Sequence, residues 1–233
     1  MIENFKNFLF VVSHPDDEVL GCGGIIKKLS KKNKNIKVIF LAEGSSCRYN
    51  QENYDLKKIK KEIEYRKSCA KKALKDLGVK KYSFYDLKCG NLHLYSILDL
   101  GKIIENEITK FKADVIFTHS NIDVHVDHRT VYQACLQASR PVPKMRKIKA
   151  LISFETQSST EWNYSEPFIP NLFINIDKEI NSKIKAIKRY KSEIIKFPHP
   201  RSKTGIESLA KFRGSQSTNK YAEAFIVNKY INE

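Results

Sequence analysis

The run His14-Pro15-Asp16-Asp17-Glu18 sits where an apolar stretch, Phe8 to Val12, ends and a glycine-rich segment with Gly21, Gly23 and Gly24 begins. Adjacent carboxylates repel one another, so a chain can hold Asp16, Asp17 and Glu18 together inside a fold only where a cation or the positive end of a helix compensates them. A buried strand whose carboxyl end meets a helix N-terminus supplies such a place. The opening of the chain therefore reads as strand, tight turn, helix. From that turn a His-x-x-Asp pair, His14 with Asp17, can hold one divalent cation while Asp16 is left free to handle protons.

The same alternation continues downstream. Glu18 to Lys32 places Val19, Ile25, Ile26 and Leu29 on one side of a helix, and its glycines permit close packing near the motif. Ile36 to Leu41 is a continuous apolar run suited to a buried parallel strand, followed by the polar loop Glu43 to Arg48. Asp55 to Leu77 carries Leu56, Ile59, Ile63, Ala70, Ala73, Leu74 and Leu77 at helical spacing and stops at Gly78. Tyr82 to Tyr85 predicts a third strand. Ser96 caps a helix built on Ile97, Leu100, Ile103, Ile104 and Phe111, and Asp114 to Phe117 is a fourth strand. A helix from His128 through Ala138 and a strand from Lys149 to Phe154 follow.

This order predicts an α/β chain forming a single Rossmann-like, three-layer domain over residues 1–233. Its sheet is mostly parallel, and ligands collect at the carboxyl ends of the strands. The core is expected over about residues 1–155, with an irregular C-terminal cap and closing elements over 156–233. In that last part Leu172 to Ile176 reads as a short strand and Phe225 to Tyr230 as a final one. A helix from Asp177 carries Ile180, Ile184, Ile187 and Ile194, and prolines keep Phe197 to Ser202 irregular.

The segment Asp123-Val124-His125-Val126-Asp127-His128 follows the fourth strand and offers the third ligand that a catalytic zinc site needs beside its open position. Two remote strand ends sharing one metal imply a hydrolytic enzyme. The segment is close to the metallo-β-lactamase pattern His-x-His-x-Asp-His, but Asp123 stands at its first position, and the zincin pattern His-Glu-x-x-His is absent.

Taken together, the two motifs resemble those of the PIG-L or LmbE-like zinc-dependent N-deacetylases, which act on N-acetylglucosaminyl groups of small conjugates. His14-Pro15-Asp16-Asp17-Glu18 matches the family's first motif and His125-Val126-Asp127-His128 its second. Arg213-Gly214 with Ala222-Glu223-Ala224-Phe225 is similar to its common ending, so the resemblance spans nearly the whole chain. The resemblance implies that His14, Asp17 and His128 bind Zn2+, in a site that another divalent metal such as Fe2+ also suits. It implies Asp16 as general base and a protonated His125 as stabiliser of the tetrahedral oxyanion. Asp127 would be the carboxylate that fixes a neighbouring imidazole. Arg48 corresponds to an arginine that faces substrate, and Arg201, in the proline-bounded segment, is a second candidate of the same type. The implied reaction removes the N-acetyl group from an amino sugar linked to a nucleotide, phosphate or small glycoconjugate, releasing acetate and a free amine. A metal-dependent amidase acting on a non-sugar or thiol-conjugate substrate is the alternative.

Other residues carry less. His119 ends the fourth strand, in a supporting or structural place, and His93 has no assigned role. Trp162 could stack on a sugar ring or pack in the core; Glu155 and Glu161 are unassigned. The net charge of +16 invites a nucleic-acid partner. However, only eight of the 42 basic residues are arginine, and the lysines accompany the isoleucine and asparagine of AT-rich coding sequence. No specific nucleic acid is expected; the positive field instead favours an anionic substrate. No stretch approaches the roughly 20 apolar residues that span a bilayer, so no membrane partner is expected. The N-terminus lacks an export signal, and five scattered cysteines read as reduced thiols, which together place the chain in the cytoplasm. Subunit number stays open, a homo-oligomer included.

Overall fold

In a computed structural model, which describes residues 2–49, 55–143 and 146–232, the apolar run after the N-terminus forms β1 (Asn7–Val12), an interior strand of a seven-stranded sheet. Residues 1 and 233, the limits of the expected domain, lie outside the described residues. β1 pairs in parallel with β2 (Asn35–Ala42) on one side and β4 (Val115–Thr118) on the other. β3 (Lys81–Leu87) adds to β2 and β5 (Ala150–Phe154) to β4, again in parallel. β7 (Ala222–Tyr230) runs antiparallel between β5 and β6 (Leu172–Asn175), giving the order β3-β2-β1-β4-β5-β7-β6.

Successive side chains of a strand point to opposite faces, and β1 is buried on both. Phe8, Phe10 and Val12 join the core under α1 (Asp17–Lys31), α2 (Leu56–Leu77), α5 (Ile180–Ile187) and α6 (Lys203–Ser215). Leu9 and Val11 join the core under α3 (Ile97–Phe111) and α4 (Val126–Ala138). These are the three layers of a single α/β domain. Local signals set the helix ends as anticipated. The Asp55 side chain accepts from the amides of Lys57 and Lys58 at the start of α2, and Gly78 closes that helix in the left-handed region at φ 88°. Ser96 caps α3 by accepting from Leu98. Among the described residues, no helix is long and apolar enough to cross a membrane.

The chain crosses from the β2 side of β1 to the β4 side, and at this switch of strand order the carboxyl ends of β1 and β4 leave a crevice. Both histidine motifs open onto it. α1 must lie close to the sheet for this to happen, and glycine permits it: a β-carbon at Gly21 would overlap the Phe154 ring, and one at Gly24 would overlap Ile176.

The C-terminal region is less of a cap than its sequence predicts. β6 and β7 extend the main sheet, while the longest irregular portions are the loops around residues 155–171 and 188–202. α5 ends at Ile187 and does not extend to Ile194. α6 was not anticipated. Only Ile206, Ala210, Arg213 and Gly214 are buried along it while Phe212 faces solvent, so it lacks the wide apolar stripe by which helices are recognised.

Candidate active site

The three consecutive acids at the end of β1 meet three different environments. Asp16 stands at the turn itself, at φ 130° and ψ −28°, a conformation that side-chain-bearing residues adopt at a cost of roughly 1–3 kcal/mol. Its carbonyl accepts from the amides of Val19 and Leu20, starting α1. Its amide donates to Glu18 Oε2 at 3.0 Å, and Tyr190 Oη donates to Glu18 Oε1 at 2.5 Å. Burial pushes the Glu18 carboxyl up to about 8, against the hydrogen bonds from Tyr190 and the Asp16 amide, which favours its neutral form beside the other two acids. Asp17 turns back, with Oδ2 accepting from the His14 amide at 2.8 Å.

The Asp16 carboxylate lies between two guanidinium groups. Arg66, on α2, donates from Nη2 to Oδ1 at 2.9 Å, and Arg201 donates from Nη1 to Oδ2 at 3.0 Å. Arg66 also bonds the carbonyls of Pro15 and Gly44. Glu193 is shared by all three arginines of the site: it is 3.2 Å from Arg66 Nη1, 3.2 Å from Arg201 Nη1 and 2.7 Å from Arg48 Nη2. Burial raises the Asp16 carboxyl above its ordinary range, and the two guanidinium charges restrain that rise.

Three imidazoles converge across from Asp17. His14 Nδ1 and His128 Nε2 each lie 3.4 Å from Asp17 Oδ2. The far nitrogen of each ring faces a carboxylate: His14 Nε2 is 2.9 Å from Asp127 Oδ2, and His128 Nδ1 is 3.1 Å from Asp123 Oδ2. Asp127 is fixed by the amides of Gly90 and Leu92 at 2.6 and 2.9 Å. Both nitrogens of His128 are buried without an aligned hydrogen bond, the Asp123 contact being short but off-line. A tetrahedral zinc with bonds of about 2.0–2.1 Å spaces its donors by about 3.3–3.4 Å. The two imidazole-to-Asp17 spacings of His14, Asp17 and His128 match such an ion, all three donor atoms lie within 4.8 Å of one another, and two imidazoles with one carboxylate suit it in donor chemistry.

Two other groupings of potential ligands fit less well. His119 Nε2 is also 3.4 Å from Asp17 Oδ2, but it accepts the Ser13 amide at 2.9 Å, so its lone pair is used. Its ring stacks on His128 at 3.9 Å, and burial together with the His128 charge lowers it to about 4. Asp127, in the grouping with His14 and His125, already accepts two backbone amides. Electrostatics favour a cation at the first grouping. Burial would lower His128, yet Asp17 and Asp123 outweigh it and raise the ring to about 10. Burial would raise Asp17, yet His128 and His119 hold it well below the usual carboxylate range.

Two expectations change on this geometry. His125 was expected to be protonated, but burial and the neighbouring charges of His128 and His14 push it down to about 4. Its Nδ1 accepts the Asp127 amide at 3.1 Å as the cap of α4, so the neutral ring carries its hydrogen on Nε2. Arg201 was expected to face substrate, but its guanidinium holds Asp16 and Glu193, and Nε donates to Ser158 Oγ. Arg48 keeps an exposed position, its side chain 45% accessible, while paired to Glu193. Trp162 is half-exposed and meets His199 edge-on. Glu155 is committed to Arg213, Glu161 to the amides of Ser158 and Ser159, and His93 is exposed away from these contacts. Cys22 is buried in the core under α1, which keeps its thiol protonated.

Arg66 and Glu193 are not singled out from sequence, and Asp123 is read there only as the position where the downstream segment departs from the metallo-β-lactamase pattern, with no role of its own. Arg66 did carry a signal: it is the lone arginine of a helix whose other basic residues are all lysine, and the planar fork of arginine is what a carboxylate clamp requires.

The family model for GlcNAc-PI de-N-acetylases, PIG-L, matches residues 9–139, a span that includes both motifs. Among curated relatives, the uncharacterized deacetylase YaiS of Escherichia coli K12 is 29% identical over 195 residues, covering 80% of this chain and 91% of the relative. Diacetylchitobiose deacetylase of Thermococcus kodakarensis is 23% identical over 223 residues, covering 94% and 81%. The fold itself is shared more widely: GalB, the 4-carboxy-2-hydroxymuconate hydratase of Pseudomonas putida KT2440, superposes with a TM-score of 0.74 at 20% identity, covering 98% of this chain and 99% of that one. With the family model matching more than half of its length, the chain belongs to the PIG-L family of de-N-acetylases, hydrolases of the amide bond.

Proposed function

We propose that this protein is a zinc-dependent deacetylase that removes the acetyl group from an N-acetylated amino sugar. The observation that carries the reading is the convergence of His14 Nδ1 and His128 Nε2 on Asp17 Oδ2, with Asp16 clamped beside them. A bound zinc supplies Lewis-acid chemistry, polarising the amide carbonyl and lowering the pKa of water toward about 7.

The chain's own residues do the rest. Asp16 accepts the proton of the attacking water and passes it to the leaving nitrogen, and its burial makes it a better base than an exposed aspartate. Arg66 and Arg201 keep the carboxylate in one orientation throughout. His125 donates its neutral Nε2–H to the carbonyl oxygen as charge develops there, a role that needs no imidazolium. Asp127 holds His14 so that Nδ1 faces the ligand position. Trp162 offers an aromatic face to a sugar ring, and the exposed Arg48 head, with the net charge of +16, favours an anionic group on the substrate. An amino sugar is further supported by the relative that is a diacetylchitobiose deacetylase.

The test pairs elemental analysis with acetate release from a panel holding diacetylchitobiose, UDP-N-acetylglucosamine and N-acetylated amino acids. The expected result is one zinc per chain and acetate from the sugars, abolished by a chelator and restored by zinc. A zinc-free protein of full activity would overturn the reading. Acetate from the amino acids alone would favour a non-sugar amidase.

A further inference from the structure

The structure assigns Asp123 as the positioning residue that decides which nitrogen of His128 carries the hydrogen, and thereby keeps Nε2 available to a metal. This inference rests on the zinc reading above. Asp123 is buried and belongs to neither the expected ligand set nor the His125–His128 motif. Its carboxylate gathers four groups. Oδ1 accepts from the His125 amide at 2.8 Å and from Ser159 Oγ; Oδ2 accepts from Thr160 Oγ1 at 2.7 Å and faces His128 Nδ1 at 3.1 Å.

A carboxylate only accepts, so beside it Nδ1 is the nitrogen that keeps a hydrogen. A small rotation of the ring brings that contact into line. Nε2 faces Asp17 at the longer distance of 3.4 Å, and a cation bound on that side would take the place of its hydrogen, so that Nε2 presents its lone pair to the metal while Nδ1 keeps its hydrogen at the 3.1 Å contact with Asp123. His119 does not compete for this role, because it meets His128 by ring stacking.

The geometry also predicts what asparagine would do. The His125 amide is a fixed donor, unlike the hydroxyls, which rotate and can accept as well as donate. In Asp123→Asn the side-chain oxygen must therefore take the Oδ1 position. The NH2 group falls at Oδ2, opposite His128 Nδ1. An NH2 only donates, so Nδ1 becomes the acceptor and the hydrogen moves to Nε2, where it occupies the lone pair intended for the cation. The substitution is isosteric, yet it reverses the tautomer.

The same loop reaches the base. Ser159 and Thr160 hold Asp123, Ser158 Oγ accepts from Arg201 Nε, and Arg201 holds Asp16. Removing both hydroxyls that reach Asp123 leaves its charge and its His125 bond intact, so the tautomer of His128 should survive in Ser159→Ala/Thr160→Ala.

The experiment is a chelator-competition titration with zinc alone, together with imidazole 15N shifts of His128. Zinc-loaded wild type should show a hydrogen on Nδ1 and coordination through Nε2. Asp123→Asn should weaken zinc binding about 10–100-fold, the range typical of such outer partners. In the metal-free variant, at a pH where the ring is neutral, the hydrogen should be on Nε2. The double alanine variant should keep it on Nδ1. Wild-type zinc affinity in a folded Asp123→Asn, or coordination of wild-type zinc through Nδ1 of His128, would overturn the inference and leave the zinc reading standing. A wild type that binds no zinc would sink the zinc reading itself. The wild-type shifts decide the matter even if the asparagine variant does not fold.

Discussion

Replacing Asp16 by asparagine separates the proposed base from the proposed ligands. The substitution keeps the shape and an acceptor oxygen but removes the group that takes the proton, and a general base contributes typically about 10²–10⁴ in rate. Turnover should fall by that factor, which is about 3–5 kcal/mol of transition-state stabilisation at 1.36 kcal/mol per tenfold. Stability should fall less. Breaking a buried ion pair outright costs about 3–5 kcal/mol. Arg66, however, keeps Glu193 at 3.2 Å and the carbonyls of Pro15 and Gly44, and Arg201 keeps Glu193 at 3.2 Å. A loss of about 1–3 kcal/mol is then expected, or about 2–12 °C in Tm for a domain of this size. Zinc content should be unchanged, because Asp16 is absent from the set His14, Asp17 and His128. The assay measures acetate release, zinc by elemental analysis and Tm on one preparation. If Asp16→Asn loses its zinc while Asp17→Asn retains it, the division of roles within the motif is wrong.

Other consequences follow from the same contacts. Lys183 Nζ is buried between Glu223 Oε1 at 2.7 Å and the Leu20 carbonyl at 2.8 Å, and Glu223 in turn accepts the amides of Gly24 and Ile25 inside α1. Lys183→Met leaves that carboxylate without its cation, which should cost about 3–5 kcal/mol and lower Tm by about 6–20 °C in a thermal melt; a change under about 2 °C would show that the pair does not anchor α1. If zinc binds as proposed, it must displace a proton from His128, whose ring Asp17 and Asp123 raise to about 10 against the effect of burial. Apparent zinc affinity should therefore rise about tenfold per pH unit from pH 7 to 9 and level off as the ring loses its proton unaided; a flat profile in a competition titration would contradict that charge state.

The sheet and most of the first five helices are legible in sequence because their cause is local. Phe8 to Val12 and Ile36 to Leu41 are apolar throughout, as strands covered on both faces must be, and Asp55, Gly78 and Ser96 act through their own neighbours. The convergence of the proposed ligands is legible for a related reason: His14 and Asp17 share one turn, and His128 follows the strand beside it. What is not legible depends on contacts between distant segments. Arg66 and Glu193 resemble solvated residues of a charged helix and loop until Asp16 is brought between them. Glu223 interrupts the apolar pattern of β7, so the strand appears to start at Phe225 when it starts at Ala222, and only Lys183 from α5 explains a buried acid there. α6 packs through small residues beside Ile206 and leaves no periodic apolar stripe to read.

The central claim is that one cation is held by one carboxylate and two imidazoles brought together from the ends of β1 and β4. Crystals of the protein grown with zinc and measured on both sides of the zinc absorption edge test it most directly. A single anomalous peak bonded to His14 Nδ1, Asp17 Oδ2 and His128 Nε2, and lost in His128→Ala, is the predicted result. A peak on other ligands, or zinc retained at this position without His128, would contradict the account.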